Sequence, residues 1–290
     1  MKKSINEKII AVTGRDNWST AEVCGLPSLR VSDGPHGLRF VTEEKDGEQI
    51  AAESVCYPTL SALGNSFDES LVYTVGQAIA EDCIKHDVAI ILGPGVNLKR
   101  TPLCGRNFEY FSEDPYLTGT MAAAQLKGMG KYGVTGTIKH FACNNQETNR
   151  QTSNSQIDER ALREIYLSAF EYVVKTARPA TIMASYNRLN GYYACENRHL
   201  LTEILREEWG FDGVVISDWG ACADLAKAVK AGMDLEMPDS HGIHARKLKA
   251  ALKAGEISEE DIAKAAGRIE KLVKKYAPDN RATKDTSAAH

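Results

Sequence analysis

The chain has 290 residues, of which 43% are hydrophobic and 26% are charged, and its formal net charge at pH 7 is -4. This length fits one large α/β domain or two small ones. The mild negative charge provides no basic surface for phosphates, so we predict no nucleic-acid partner. No apolar run approaches the ~20 residues that span a bilayer, and the N-terminal segment has no secretory apolar region. We therefore predict a cytoplasmic protein without a membrane partner.

The cysteines are dispersed along the whole chain. They are Cys24, Cys56, Cys83, Cys104, Cys143, Cys195 and Cys222. Their spacing matches no metal-binding motif, and an odd, dispersed set is typical of reduced, buried thiols. The sequence also contains no phosphate-binding loop and no dinucleotide fingerprint. We predict neither a cofactor nor a bound metal.

Short β-rich runs alternate with longer helical patterns. The predicted strands are Ser28–Ser32, a weaker one near Ala62–Phe67, Ala89–Leu92, Gly136–Phe141, Thr181–Tyr186, Gly213–Ser217 and Met233–Glu236. The predicted helices are Glu69–His86, Tyr116–Lys131, Glu159–Ala177, Arg198–Trp209, Cys222–Ala231, His241–Ala254 and Ser258–Tyr276. Ser258 and the acidic residues that follow it are typical of a helix N-terminus.

This alternation predicts a mainly parallel sheet covered by helices, either a (β/α)8 barrel or a doubly wound open sheet. Polar or aromatic side chains follow nearly every predicted strand. They are Asp33, Asn97, Lys139, His140, Tyr186, Asn187, Asp218 and Trp219. A barrel brings all of these strand ends to one mouth, whereas an open sheet gathers them only at its switch point. We predict a TIM-like barrel over residues 1–276 with one short or irregular unit. Residues 277–290 form a polar tail, either a linker or a frayed terminus.

The segment Gly213–Gly220 contains the sharpest local signal. Three successive β-branched residues predict a strand buried on both faces, and Asp218 and Trp219 follow at its end. A carboxylate at this position is costly to bury without a role, and the indole offers a flat face to the C–H groups of a sugar ring. A helix N-cap is an equally good interpretation of Asp218 from spacing alone.

Three further segments carry candidate binding residues, each with a structural alternative. Lys139 and His140 end a strand, where adjacent side chains point to opposite faces unless a bulge intervenes, so one of them can be structural. Asp33 can accept two hydroxyl donors or close an Asx-turn. Arg106 can bind vicinal hydroxyls or pair with Glu109. Together these residue types fit a neutral polyol better than a phosphate or a nucleotide.

Six motifs occur in the same order as in glycoside hydrolase family 3. They are VSDGPHGLR, LCGRNFEYFSEDP, IKHFACNNQETNR, ASYNRLNG, REEWGFDGVVISDW and AGMDLEMP. The chain resembles the β-glucosidase branch of this family, and the resemblance runs from about Gly14 to Tyr276. It implies hydrolysis of terminal β-D-glucosyl or related residues by a retaining double displacement, with Asp218 as the nucleophile. The residues that the resemblance implies in sugar binding are Asp33, Arg106, Lys139, His140, Tyr186 and Trp219.

The resemblance also implies a proton donor that this sequence does not supply. In the β-glucosidase branch the acid/base is a glutamate in a second domain that follows the barrel. We expect that this sequence lacks that domain and that the domain is a partner of this one, joined in cis or supplied in trans. The substrate would be a β-glucoside or a short oligosaccharide. One alternative is a sugar-binding fragment without catalysis. The other is a single-domain β-N-acetylhexosaminidase, which the stretch KHFACNNQET disfavours because it lacks Pro-Gly-His.

Overall fold

The computed structural model describes residues 4–22, 25–45 and 48–278. The strands are β1 (Arg30–Asp33), β2 (Val41–Lys45), β3 (Glu48–Ala51), β4 (Val88–Leu92), β5 (Thr135–Phe141), β6 (Asn154–Ser155), β7 (Thr181–Ala184), β8 (Arg188–Leu189), β9 (Tyr192–Tyr193) and β10 (Val214–Ser217). The α-helices are α1 (Ile5–Ala11), α2 (Leu60–Gly64), α3 (Glu69–Lys85), α4 (Pro115–Gly130), α5 (Glu159–Ala161), α6 (Ser168–Ala177), α7 (Leu225–Ala231), α8 (Ile243–Lys253) and α9 (Glu259–Tyr276). Leu162–Tyr166 and His199–Glu208 are π-helical, and Asn107–Glu109 and Ala194–Glu196 form 3-10 turns.

A curled parallel sheet organises the fold, so the predicted α/β class is confirmed. Its strands run in the order β1-β4-β5-β7-β10, and every neighbouring pair is parallel. Strands β4, β5, β7 and β10 are buried along their whole length, as expected for a parallel sheet covered on both faces. Helix α3 packs on α4, and α4 packs on α6. The hydrophobic core therefore lies on both sides of this sheet.

The two edges of the sheet are linked by isolated bridges instead of further strands. Leu235 pairs with Ile216 of β10, and the adjacent Glu236 pairs with Thr13. On the other side, Ser19 pairs with Arg30 of β1. In the described part of the chain, the parallel sheet itself has five strands, not the eight of the predicted barrel. The predicted strand Met233–Glu236 is thus reduced to single bridges.

One predicted strand is wrong. The segment Ala62–Phe67 begins inside helix α2, because the Thr59 side chain accepts a hydrogen bond from the backbone N–H of Ala62 and caps the helix. Leu60 and Leu63 then lie three residues apart on the buried side of this helix. The alternation of apolar residues was too short to distinguish a strand from a helical turn.

The predicted helices are present with shifted ends. The predicted helix Cys222–Ala231 starts only at Leu225, because the Asp224 carboxylate accepts hydrogen bonds from the backbone N–H groups of Ala226 and Lys227. Ser258 caps α9 as predicted. Residues 279–290 of the predicted tail lie outside the described residues. No described helix is long and apolar enough to cross a membrane.

Candidate active site

A cavity of about 140 Å³ opens where β1, β5 and β10 end. It is lined by Trp18, Asp33, Leu92, Arg106, Lys139, His140, Met183, Asp218 and Trp219. All of the predicted site residues except Tyr186 line this cavity, and Tyr186 lies beside the Asp218 carboxylate. The carboxyl ends of parallel strands meet at one edge of a sheet, which explains why residues from distant motifs converge here.

Lys139 and His140 both reach the cavity although they are adjacent in β5. The register between β5 and β7 shifts between Ile138 and Phe141, so the strict alternation of side chains is interrupted at this point. Asn97 holds the strand end in place, since its side chain accepts from the backbone N–H of His140 at 2.7 Å and donates to the His140 carbonyl at 2.9 Å. The prediction that one of the two side chains is structural therefore does not apply.

Lys139 is buried between two carboxylates. Its Nζ lies 3.1 Å from Asp33 Oδ1 and 3.2 Å from Glu109 Oε2. Burial disfavours the charge on Lys139, but the two carboxylates outweigh burial and raise the pKa of the ammonium group above its usual value. Burial likewise opposes the charge on Asp33, yet the Lys139 ammonium lowers the pKa of that carboxyl. The pair therefore stays ionised at neutral pH.

Arg106 joins the remaining polar groups of the cavity. Its Nε donates to the Glu109 carboxylate, as one interpretation of the sequence predicted, and its Nη2 lies 2.6 Å from His140 Nε2. The Arg106 Nη1 atom is buried, lies 3.9 Å from Glu147 Oε1 and has no hydrogen-bond partner among the described residues. Buried polar groups are normally paired, so an unpaired donor at a cavity indicates a site for a ligand acceptor.

His140 is held as a neutral imidazole in one tautomer. Its burial, with the charges of Arg106 and Lys139, lowers the pKa of the ring well below its usual value. An arginine N–H can only donate, so Nε2 accepts from Arg106 and the ring proton lies on Nδ1. Nδ1 then donates to the hydroxyl oxygen of Tyr110 at 2.9 Å. This arrangement fixes the ring orientation.

Asp218 follows the last residue of β10. Its Oδ1 accepts from the backbone N–H of Trp219 at 2.8 Å, whereas its Oδ2 is buried and has no hydrogen-bond partner among the described residues. His140 Nε2 lies 3.7 Å from Oδ2. Burial raises the pKa of the Asp218 carboxyl, while Arg106, the Trp219 N–H and Lys139 act in the opposite direction. The N-cap interpretation is wrong, because Asp224 caps the following helix.

Two aromatic residues border Asp218. The Tyr186 hydroxyl donates to the Trp219 carbonyl at 2.8 Å, and burial, followed by the charge of Asp218, raises the pKa of this phenol. The Trp219 indole N–H donates to the Asn17 carbonyl at 3.0 Å, which fixes the ring against Trp18 at a centroid distance of 5.6 Å. The two indoles provide an apolar wall beside a polar floor.

Several residues that complete the site were not predicted from the sequence. Tyr110 orients His140, and Arg150 lies 4.5 Å above the Tyr186 ring and donates to Glu147 at 3.1 Å. Arg150 belongs to the motif that contains Lys139 and His140, which was the available signal. Asn187, which the sequence placed at the mouth, bonds to backbone carbonyls of Ala142 and Arg188 and does not line the cavity.

A larger groove of about 570 Å³ adjoins the cavity and shares Asp33, Arg106 and Glu109 with the ion-pair cluster. The groove is also lined by residues 33–39 and 54–56 and by Phe108 and Arg150. The cavity and the groove together offer a small compartment of about 140 Å³ next to a larger one of about 570 Å³. This division suits a molecule with one tightly bound ring and a more variable extension.

A family model for the glycosyl hydrolase family 3 N terminal domain matches residues 28–272. The chain belongs to glycosyl hydrolase family 3. The matched range includes every predicted site residue and the complete parallel sheet. The predicted resemblance is therefore confirmed at the level of the family.

Curated relatives and a solved structure agree with this assignment. The chain is 49% identical over 274 residues to thermostable β-glucosidase B of Acetivibrio thermocellus, covering 93% of this chain and 36% of that protein. It is 50% identical over 243 residues to an exo-α-(1->6)-L-arabinopyranosidase of Bifidobacterium longum, covering 82% and 32%. A crystal structure of a β-glucosidase from Bifidobacterium adolescentis superposes with a TM-score of 0.89 at 43% identity, covering 99% and 42%. This chain thus spans about a third of the length of the curated relatives.

Proposed function

We propose that this chain is the nucleophile-bearing domain of a retaining β-glucosidase. The proposal rests on the unpaired Oδ2 of Asp218, a buried acceptor at the same cavity as the unpaired Nη1 donor of Arg106. Unpaired buried groups of both kinds are costly unless a ligand pairs with them. The relatives named β-glucosidases supply the substrate class, and the predicted roles of the site residues give the chemistry.

In the proposed first step, Asp218 Oδ2 attacks the anomeric carbon. The Trp219 N–H already holds Oδ1, so Oδ2 is the oxygen that is free to form the new bond. The bond between the anomeric carbon and the aglycone oxygen breaks, and that oxygen takes a proton from a general acid. Water then attacks the anomeric carbon and gives a proton to the same group, which now acts as a base, and the bond to Asp218 breaks to release the sugar with its original anomeric configuration.

The other residues bind the sugar and stabilise positive charge. Asp33 and Glu109 are ion-paired with Lys139, Arg39 and Arg106, and His140 is neutral, so the Asp218 carboxylate is the negative charge that faces the cavity with an oxygen lacking a hydrogen-bond partner among the described residues. An oxocarbenium-like transition state gains more from this charge than a neutral ground state does. We propose that Asp33, Lys139, His140 and Arg106 hold the hydroxyl groups, and that Trp219 and Tyr186 flank the ring.

We propose that the general acid lies outside the described residues. The other carboxylates of the cluster are all paired with cations: Asp33 and Glu109 with Lys139, and Glu147 with Arg150. The oxygens of Glu109 and Glu147 already accept hydrogen bonds or ion pairs within the cluster, and Lys139 lowers the pKa of Asp33 against the effect of burial, so none of the three is placed to donate a proton to a leaving oxygen. A second domain, in cis or in trans, would supply the acid and a further wall of the 570 Å³ groove. Residues 1–276 would then be one TIM-like barrel domain, with the isolated bridges completing the ring.

Covalent trapping tests the proposal without a general acid. The probe is a 2-deoxy-2-fluoro-glucosyl compound with a nitrophenol leaving group, which needs no protonation. The fluorine slows both the formation and the hydrolysis of the adduct, and the good leaving group speeds only its formation, so the adduct accumulates. We expect an intact-mass increase of one fluoro-sugar, mapped by peptide analysis to Asp218. Asp218→Asn is the variant that must lose the adduct. Asp224→Asn, which changes a helix cap and an ion pair with Lys227 outside the cavity, is the matched control and should keep the adduct.

Two outcomes would overturn the proposal. An adduct on Glu109 or Glu147 would show that this glutamate, and not Asp218, is the nucleophile. A folded chain that binds glucose but forms no adduct would leave a sugar-binding module without chemistry. Rates on alkyl and nitrophenyl glucosides test the missing acid separately, because loss of general acid catalysis, typically worth ~10²–10⁴-fold, affects poor leaving groups most. Equal, high rates on both would place an acid within the chain.

A second sugar specificity is favoured by one observation. The relative named an exo-α-(1->6)-L-arabinopyranosidase is as similar to this chain as the first β-glucosidase. Such a substrate lacks the hydroxymethyl group of a hexose, and a pocket difference of that size is worth about 1–3 kcal/mol. Nitrophenyl α-L-arabinopyranoside and nitrophenyl β-D-glucoside should be compared by kcat/KM. A preference for the pentoside by more than tenfold would reassign the substrate.

A further inference from the structure

A second cluster of reactive side chains lies behind the loop that follows Asp218. Cys222, Glu236 and His244 each offer one ligand atom, and these atoms lie within 4.8 Å of one another. The three residues come from different segments: the loop before α7, the end of the bridge at 235–236, and the first turn of α8. Only one of the three residues is a cysteine, which explains why cysteine spacing predicted no metal site.

The cluster is buried and incompletely paired. Cys222 and Glu236 are 5% and 3% exposed, and the His244 side chain is 16% exposed. One oxygen of Glu236 pairs with His244 Nδ1, but Oε2 is buried and has no hydrogen-bond partner among the described residues. A buried carboxylate oxygen without a partner is costly, so an additional group that binds it would stabilise the fold.

We propose that Cys222, Glu236 and His244 bind a zinc ion. Sulfur, imidazole nitrogen and carboxylate oxygen are the ligand types of Zn²⁺, and three protein ligands leave a fourth position for water. A thiolate and a carboxylate neutralise the two positive charges of the ion, and His244 is the ligand nearest to solvent. On binding, the Zn–S bond forms and the thiol proton passes to solvent.

The site would clamp the segment that carries the proposed nucleophile. The Ala221 N–H donates to the Asp218 carbonyl at 2.9 Å, and the Gly220 N–H donates to the Met237 carbonyl at 3.0 Å. Cys222 and Glu236 are the immediate neighbours of these hydrogen-bonded residues. A metal that joins them would therefore fix the loop from Asp218 to Cys222 against the start of α8. The proposal concerns binding and does not depend on the proposed glycosidase activity.

Metal binding can be measured directly on the chain. After treatment with a chelator, Zn²⁺ is titrated in competition with a chromophoric chelator, and Co²⁺ is added in parallel to detect thiolate-to-metal charge-transfer absorption. We expect one ion per chain, proton release on binding, and a higher Tm with zinc. Cys222→Ser should abolish the Co²⁺ charge-transfer band. His244→Ala should weaken the affinity by more than about tenfold, since loss of even an outer-shell partner costs 10–100-fold.

Two control variants separate this site from surface binding. Cys56→Ser removes an exposed thiol, and His199→Ala removes an exposed histidine that contacts Glu159 and Glu203. Both should bind zinc like the parent chain. Weakened binding in His199→Ala but not in His244→Ala would overturn the proposal. So would unchanged affinity in both His244→Ala and Cys222→Ser. His244 is partly exposed at the start of a helix, so its variant decides the test if Cys222→Ser does not fold.

Discussion

Two buried aspartates flank the same strand, and their surroundings differ. Asp234, near the start of β10, has both oxygens paired: Oδ2 accepts from Arg206 Nη2 at 2.6 Å and from the Val215 N–H at 2.8 Å, and Oδ1 accepts from Arg268 Nε at 2.7 Å. Asp218, after the end of β10, has one oxygen paired and one unpaired. The first carboxylate is saturated by the protein itself, whereas the second is available to a ligand.

Burial and hydrogen-bond partners together distinguish a structural carboxylate from a functional one. Asp234 ties the π-helical segment and α9 to the sheet, and a ligand has nothing to add to it. The Asp218 carboxylate is buried at a cavity, where its unpaired oxygen is available to a ligand. Burial alone does not distinguish Asp218 from Asp234, because both are buried. The unpaired atom separates them.

The largest effect on stability is expected at Asp234. Asp234→Asn removes the anion that two arginines share, and breaking a buried ion pair costs about 3–5 kcal/mol because charge is left uncompensated. We expect a fall of this size in the free energy of unfolding, measured by urea denaturation. Asp218→Asn is the matched control and should not be destabilised. Equal losses in both variants would contradict the comparison.

The sequence could predict one of these aspartates and not the other. Asp218 stands at the end of a recognisable strand, which marks it without knowledge of its partners. The partners of Asp234 are 28 and 34 residues away on helices, so no local pattern reveals the triad. The curled parallel sheet was predictable for the same reason as Asp218, because buried strands are local patterns. The segment Met233–Glu236 was predicted as a strand and forms only single bridges, and the bridges at residues 13–19 were not predicted, since a bridge has no periodicity.

The site was predictable in its members but not in its connections. Asp33, Arg106, Lys139, His140 and Trp219 were identified from motifs, and they line one cavity. Tyr110 was missed because its role is a single contact, 30 residues along the chain, to one nitrogen of His140. The tautomer of His140 can be assigned only because Arg106 donates a hydrogen bond to its Nε2. Such dependence on three-dimensional neighbours has no signature in the sequence.

An intermediate effect is expected when Tyr110 is changed to phenylalanine. Tyr110→Phe leaves the Nδ1–H of His140 without its acceptor, and an unpaired buried donor costs about 1–3 kcal/mol. We expect the rate of adduct formation with the fluoro-sugar to fall by about 10- to 100-fold, because the ring loses its fixed orientation. Tyr57→Phe, which loses a hydroxyl bonded to Asp82 away from the cavity, is the control and should react at the parent rate. An unchanged rate in Tyr110→Phe would exclude a positioning role.

The smallest expected effect is a pH-dependent change in the free energy of unfolding, and its sign differs between two aspartates of the site. Burial raises the pKa of Asp218 above its usual value, so at neutral pH the folded state carries a charge that the unfolded state holds more easily. Asp218→Asn removes this cost and should raise the free energy of unfolding at neutral pH by about 0.5–2 kcal/mol. As the pH falls through the raised pKa, the folded aspartate becomes protonated first and the advantage shrinks. Below the unfolded pKa of about 3.9 it should vanish.

Asp33 provides the matched comparison with the opposite sign. Lys139 lowers the pKa of Asp33, so this carboxylate contributes stability that is present above its unfolded pKa and is lost as the pH falls through the lowered folded value. Asp33→Asn should therefore destabilise the chain at neutral pH and match the parent only in strong acid. Urea unfolding of the parent and both variants from pH 3 to pH 8 tests the pair. If Asp218→Asn loses stability at neutral pH as Asp33→Asn does, then the protein itself compensates the Asp218 charge, and the free oxygen is no sign of a ligand.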